Sequence, residues 1–251
     1  MISFQNIVKA FGPHKVLDDV SLTVPKGQIL FIIGTSGAGK SVLVKHLVGL
    51  IRPDAGRIYL DDVEVTSLSE MALYPVRKRC AMVFQHSTLF DSMTLLENVA
   101  LPLRKHKGLS TKQAGVDAMR RLEQVGMAEE SGQFPADIGD GLRKRVAIAR
   151  ALTLDPEYVI FDEPTTGLDP MAAESVDSLI RELSDRFQVT SIVVSHDLRS
   201  IFKVADRIAM LYQGKVLLDG SPADFRATTD PVVRQFIEGR PEGPMVFPRK
   251  S

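Results

Sequence analysis

The stretch Gly34-Thr35-Ser36-Gly37-Ala38-Gly39-Lys40-Ser41 has the spacing of a phosphate-binding P-loop: a glycine, four residues, then Gly-Lys-Ser. Its glycines let the backbone wrap so that N–H groups point inward at phosphate oxygens. The helical segment that begins at Ser41 and Val42 adds its positive N-terminal end. Lys40 sets an ammonium against the β- and γ-phosphates of a nucleoside triphosphate, and the Ser41 hydroxyl is placed to ligate Mg2+. Further on, the apolar run Tyr158-Val159-Ile160-Phe161 ends in two carboxylates, Asp162 and Glu163. In a P-loop protein an aspartate at this place holds Mg2+, and a glutamate directly after it polarises the attacking water as a general base. Alone, two acids at a strand end read equally well as a solvated terminus; beside a P-loop the chemical reading is preferred. The loop by itself defines only a P-loop nucleotide binder, since kinases and GTPases share it.

These residues need a scaffold, and the apolar patterning supplies one. Ile29–Ile33, Tyr158–Phe161 and Ser191–Val194 are continuous apolar runs of the kind found in strands buried on both faces. Helical spacing separates them at Ser41–Leu50, Met171–Phe187 and Leu198–Ala205, so the order predicts an α/β fold with a mostly parallel sheet. Ahead of these lie short strand-like runs at Ile2–Phe11, Val20–Val24 and Arg57–Leu60, with Pro25-Lys26-Gly27 and Pro53-Asp54-Ala55-Gly56 as turns, which reads as an N-terminal antiparallel β-subdomain. Between Gln85 and Arg150 strand signals fade. Glu97–Lys105, Thr111–Val125 and Leu142–Leu154 carry helical spacing, and an inserted α-helical lobe is expected. Gln213-Gly214, between Ile208–Tyr212 and Lys215–Asp219, is a hairpin signal. The expected division is a nucleotide-binding core over 1–87, the lobe over 88–155, the rest of the core over 156–238 and a Pro/Gly-rich tail over 239–251.

The motifs, in their order, resemble those of the ABC ATPases over essentially the whole chain. Phe11 resembles the aromatic that stacks on adenine, although a lone aromatic there also fits a core position. Phe84-Gln85 resembles the loop whose glutamine touches Mg2+ and couples to a membrane partner. Asp162-Glu163-Pro164 matches the acidic strand end, Gly167-Leu168-Asp169 resembles the loop at the dimer interface, and Val194-Ser195-His196-Asp197 matches the switch region whose histidine contacts the γ-phosphate. The resemblance implies an ATPase with ATP and Mg2+ as cofactors. It assigns catalysis to Glu163, His196 and Gln85, and the metal to Ser41, Gln85 and Asp162. A neutral imidazole at His196 is suited to donate to phosphate and to orient the water of Glu163.

One motif departs from the family. Where its signature normally reads Leu-Ser-Gly-Gly-Gln, this chain has Ile138-Gly139-Asp140-Gly141-Leu142, followed by a helix that fits the family well. Gly139 replaces the serine that would donate to the partner-bound γ-phosphate. Asp140 places an anion where a phosphate should dock, which costs energy that the helix N-terminus and the nearby Arg143 and Lys144 are positioned to offset. Gly141 still allows close backbone approach. ATP binding is expected to survive, with hydrolysis slowed or dependent on a partner.

In this family the signature of one subunit closes over ATP held by the P-loop of the other, so the resemblance implies a homodimer. It also implies an integral membrane permease docking near Gln85 and the lobe, with His86–Val99, and particularly Leu89, Phe90 and Met93, as candidate contacts. These apolar residues equally fit lobe core. Lys plus Arg equal Asp plus Glu at 31 each, so the chain lacks the basic footprint of a nucleic-acid binder. No apolar stretch approaches the ~20 residues of a membrane span, and the N-terminus shows no signal-peptide pattern. A location on the cytoplasmic face of the inner membrane, with no direct insertion, is expected. The lone Cys80 lies in the apolar run Cys80-Ala81-Met82-Val83-Phe84 and reads as a buried small hydrophobe. Among transporters, Tyr74–Arg79, Phe90–Leu103 and the tail from Val233 to Pro244 are most similar to ATPase subunits of systems that move phospholipids between bacterial membranes. In those subunits a C-terminal extension contacts the neighbouring ATPase. ATPases of other importers or exporters share the same motor chemistry. Non-transport ABC ATPases usually carry two cassettes or a long coiled-coil insertion, which this chain lacks, and a P-loop kinase would need an acceptor site and lid.

Overall fold

β1 (Ile2–Phe11) and β2 (His14–Val24) open the chain as an antiparallel hairpin that closes at the Phe11–His14 pair. This computed structural model describes residues 1–245. β3 (Ile29–Ile33) leads through the glycine-rich loop to α1 (Lys40–Leu47), followed by β4 (Ala55–Leu60), β5 (Val63–Glu64) and α2 (Leu73–Arg79). The middle of the chain holds β6 (Cys80–Val83), α3 (Leu95–His106), α4 (Thr111–Gln124), a 3-10 turn at Pro135–Asp137, α5 (Asp140–Leu152), β7 (Tyr158–Asp162) and α6 (Pro170–Phe187). The last part contributes β8 (Thr190–Val194), α7 (Leu198–Val204), β9 (Arg207–Tyr212), β10 (Lys215–Gly220), α8 (Pro222–Ala227) and α9 (Pro231–Ile237).

The chain forms two compact units, one from Met1–Val76 with Thr190–Ser251 and one from Arg77–Val189. In the first, β2, β1, β4 and β5 make an antiparallel sheet. A second sheet runs β10-β9-β3-β8, with β3 parallel to both β8 and β9 and only β10 antiparallel. All five residues of β3 and of β8 are buried, as strands covered on both faces must be. Each fully buried Ile or Leu there stabilises the unit by roughly 1.5–3 kcal/mol. In the second unit β6 and β7 pair in parallel, and α5 packs against α3, α4, α6 and β6. The fold is the expected α/β arrangement, with a mostly parallel sheet, an antiparallel β-subdomain and a helical lobe.

Local chemistry explains the lobe's boundaries. Thr94 and Ser110 cap α3 and α4, each in a reciprocal box with the side chain three residues on, Glu97 and Gln113. Such caps are worth about 1 kcal/mol each. Pro102 sits inside α3, so one backbone hydrogen bond is missing there.

Several boundaries differ from the sequence reading, among them β4, which begins at Ala55 rather than Arg57, and α3, which begins at Leu95 rather than Glu97. β2 begins at His14 rather than Val20, because the hairpin absorbs irregular pairing: Asn6 and Asp19 both take positive φ, and the Asn6 amide donates to Asp19 Oδ1 at 2.8 Å. α2 covers Leu73–Arg79, where no helix was expected. α5 begins at Asp140, two residues early, since Gly139 serves as its N-cap in an extended conformation. The Gln213-Gly214 turn closes β9 on β10 with positive φ at both residues, 49° and 76°, as a type I′ hairpin requires. In the tail, the Met245 N–H donates to Gln235 Oε1 at 2.7 Å, and both residues are buried. Residues 246–251 of the expected tail lie outside the described residues.

Burial pushes the Cys80 thiol up to about 12. The folded chain should therefore leave a soluble disulfide reagent unreacted at pH 8, and a denatured sample should titrate one thiol. Rapid reaction in native buffer would show that the start of β6 opens.

Candidate functional site

The glycine-rich loop leaves β3 under a tight packing restraint. A Cβ placed on Gly34 (φ 144°) would lie 2.2 Å from the Leu211 carbonyl oxygen of β9, so only glycine lets the chain pass that strand. At the loop's other end Gly39 takes φ 95°, and a Cβ there would strike Leu17 at 2.7 Å and Val16 at 3.0 Å. That contact sets the loop against β2, close to the hairpin that carries Phe11. Phe11 is 50% exposed, with the Lys9 ammonium 5.3 Å from its ring centroid. The Phe11 ring therefore lies outside the core. Val16 was not singled out in the sequence; only the folded hairpin places it at the loop.

Lys40 is 6% exposed, and its ammonium donates to the Gly34 and Thr35 carbonyls at 2.9 and 3.0 Å. The charge is thus folded across its own loop. α1 begins at Lys40 with Gly39 as its N-cap, no side-chain cap and no acid in its first turn, so nothing anionic competes for its positive end. The donor set fits the phosphates of a nucleotide: a buried ammonium, loop N–H groups and an uncapped helix start. Ser36 and Gly37 are exposed at the rim, Ala38 is buried, and Ser41 and Val42 are half-buried in the first turn of α1.

His196 stands in the same unit. It follows β8, whose Val194 pairs with Ile32 of β3, so the loop and His196 leave neighbouring parallel strands at the same end. The Ser195 N–H is tied to the Ile32 carbonyl at 3.3 Å, and Asp197 caps α7 through the Arg199 N–H at 2.9 Å. The histidine is held between these two anchors with its ring exposed.

The second unit carries the acids. Asp162 is 4% exposed at the end of β7. Glu163 turns the chain with φ 54°, and the Thr166 hydroxyl donates to its Oε2 at 2.5 Å. A non-glycine residue at positive φ is uncommon and tends to mark a functional turn. Asp169 is occupied as the N-cap of α6, accepting from the Met171 and Ala172 N–H groups at 2.9 and 3.0 Å. Gln85 is exposed just past β6.

The irregular signature has a geometry of its own. Gly139 caps α5 without a side chain, and Asp140 begins the helix with its carboxylate exposed. Arg143 pairs with Asp140 at 3.2 Å while its Nε donates to the Pro135 carbonyl at 2.7 Å. Lys144, the other cation expected to offset Asp140, instead turns inward. It is 3% exposed and donates to the Phe84 carbonyl at 2.9 Å and to the Gln85 carbonyl. Burial pushes Lys144 down to about 8, opposed by the nearby Asp162 and Asp140. Gly141 is needed for packing, since a Cβ there would lie 2.9 Å from that of Ala172.

Of the lobe residues expected to face a partner, Phe90 is exposed, while Leu89 and Met93 are half-buried. The turn is pinned by the fully buried Asn98. Its amide accepts from the Phe90 N–H at 2.8 Å and donates to the carbonyls of Phe90, Met93 and Thr94 at 3.0–3.2 Å. Lys144 acts through backbone atoms 59 and 60 residues away in the chain and Asn98 through those of the turn just before it; every residue has such atoms, so residue type carried no signal for either.

A buried strand ending in a glycine-rich loop that folds its lysine inward defines a P-loop nucleotide-binding chain. A family model described as ABC transporter matches residues 17–166. The chain belongs to the ABC transporter ATP-binding family, and it is an ATPase. It is 38% identical over 98% of its length to the intermembrane phospholipid transport system ATP-binding protein MlaF of Escherichia coli K12, covering 92% of that protein. It is 36% identical over 97% of its length to the probable ribonucleotide transport ATP-binding protein mkl of Mycobacterium tuberculosis H37Rv, covering 68% of that protein. A solved dimeric ATP-binding cassette in a post-hydrolysis state with ADP and Pi superposes with a TM-score of 0.80 at 29% identity, over 88% of this chain and 99% of that one.

Lys40→Ala should weaken ATP binding by at least about 100-fold, since two charge-assisted contacts at about 1.5–3 kcal/mol each sum to about 3–6 kcal/mol. Equilibrium titration with a fluorescent ATP analogue measures it, and unchanged affinity would refute the role of the loop.

Proposed function

We propose that this chain is the ATP-hydrolysing motor of a transporter that moves phospholipids between bacterial membranes. It works as a homodimer on the cytoplasmic face of the inner membrane, beneath an integral permease. The observation that carries this reading is the coextensive match to the phospholipid-system protein, which spans nearly all of both chains. The mkl relative, named for ribonucleotide transport, is matched over a smaller share of its length. Among the described residues no helix is long and apolar enough to cross a membrane, which supports a permease as the spanning component.

The roles follow from the chemistry of each group. Phe11 stacks on adenine. The backbone of residues 34–42 and the Lys40 ammonium hold the β- and γ-phosphates. Ser41, Asp162 and Gln85 offer hard oxygen donors suited to Mg2+, which when bound draws charge from the phosphate oxygens. Glu163, its carboxylate held by Thr166, takes a proton from water as the water oxygen bonds to the γ-phosphorus and the bond to ADP breaks. His196 donates to the γ-phosphate, and Gly139, Asp140 and Gly141 face the nucleotide held by the second subunit. The core is assigned to 1–87 and 156–238 and the inserted lobe to 88–155.

The permease is assigned to the lobe beside Gln85. A cavity of about 200 Å3 lies there, lined by residues that include Phe84, Thr88, Pro102, His106 and Arg150. Two residues past Thr88, the exposed Phe90 ring offers an apolar contact.

Glu163→Gln should bind ATP normally, lose at least about 100-fold in turnover as expected for a general base, and accumulate as a dimer with ATP on size-exclusion chromatography. Normal turnover would sink the assignment of the base. Asp140→Gly should raise turnover by removing an anion from the phosphate-facing segment; an unchanged rate would show that the Arg143 pair already neutralises it.

A further inference from the structure

α5 carries the signature at its N-terminus and spends two cations further along on a single loop. Lys144 Nζ donates to the carbonyls of Phe84 and Gln85. A turn and a half later, Arg150 donates to the Thr88 carbonyl at 3.0 Å, to Thr88 Oγ1 at 3.0 Å and to the Ser87 carbonyl at 3.3 Å. Four of the five carbonyls between residues 84 and 88 are thereby held by one helix. Neither cation is committed to a carboxylate in these bonds. Lys144 is almost wholly buried, and burial also lowers the Arg150 pKa. Lys144 is buried and Arg150 half-buried, and cations so placed that spend their donors on backbone carbonyls fix the path of that backbone, because leaving either partner unmade carries a desolvation cost. The loop needs such holding. Thr88, a β-branched residue, sits at φ 49°, a conformation that persists only where surrounding contacts impose it.

We propose that Lys144 and Arg150 are positioning residues that bind the 84–88 loop to α5, so that Gln85 and the signature segment 139–141 move as one body. Gln85 itself is exposed, so its side chain gains its direction from the backbone on which it is mounted. Force applied to the loop at Phe84 or Thr88 is then delivered to Gly139 and Asp140 through two side chains, with no rearrangement of α5. The inference rests on the role given to Gln85 above, and the experiment separates the two.

A spin label at His86→Cys reports the loop directly in the full chain, since the buried Cys80 does not compete for the reagent. Lys144→Met should narrow the electron paramagnetic resonance line shape, Lys144→Arg should restore it, and Lys144→Gln should fall between, which keeps the test open if the methionine variant does not fold. In the unlabelled chain Lys144→Met should lower kcat about 10-fold, the scale of a small misplacement of a positioned group, with KM for ATP moving less than about two-fold. In a Gln85→Ala background it should cost no further activity, as expected for two residues that act as a unit. An unchanged line shape, or losses that multiply in full in the double variant, would overturn the proposal. Normal turnover in Gln85→Ala would instead remove the role of Gln85, with the line shapes still deciding whether the clamp exists.

Discussion

The phosphate loop can form only because β3 and β9 press their backbones together at its first residue. Gly34 passes the Leu211 carbonyl at a distance no side chain tolerates. That close pass sends the chain into a turn in which the Gly34 and Thr35 carbonyls accept from the Lys40 ammonium. Everything else about the loop follows. α1 begins without a cap because its first N–H groups are left for an anion, and β3 is buried on both faces because a rigid strand must hold the turn at its tip.

The second unit solves a different problem with the same means. Its candidate functional groups lie on loops, which are mobile by default, and side-chain hydrogen bonds hold them. Thr166 restrains Glu163, Asp169 caps α6, Asn98 pins the Phe90 turn, and Lys144 with Arg150 secures the glutamine loop. Two of these anchors, Asn98 and Lys144, are fully or nearly buried, where a hydrogen bond to a carbonyl is strengthened by the low local dielectric. The irregular signature belongs to this pattern. The inward turn of Lys144 toward the loop leaves Arg143 as the ion-pair partner of Asp140, so neutralising the signature and holding the loop fall to different residues of one helix.

Much of this was legible in the sequence. The P-loop, the acidic strand end and the switch histidine are local patterns, each a few residues long and each joined to an apolar run. Periodicity is enough to read such runs, because a strand buried on both faces has no polar alternation. The helical lobe was legible for the same reason, and the hairpin at Gln213-Gly214 followed from which residues tolerate positive φ. The family could be named from motif order before any fold was known.

What the sequence did not determine were contacts between residues far apart in the chain whose partners are backbone atoms. Every residue has a carbonyl, so residue type cannot say which one Lys144 or Arg150 will find, and charge pattern alone assigned Lys144 to Asp140. The start of β2 at His14 depended on a bulged pairing, Val16 reached the phosphate loop only through the closed hairpin, and the close approach of Gly141 to Ala172 on another helix had no local signal. Motif and period thus determined the chemistry and the order of elements. The tertiary structure alone decided which backbone atoms each buried polar group would satisfy, because that choice depends on where the folded chain leaves a carbonyl without water.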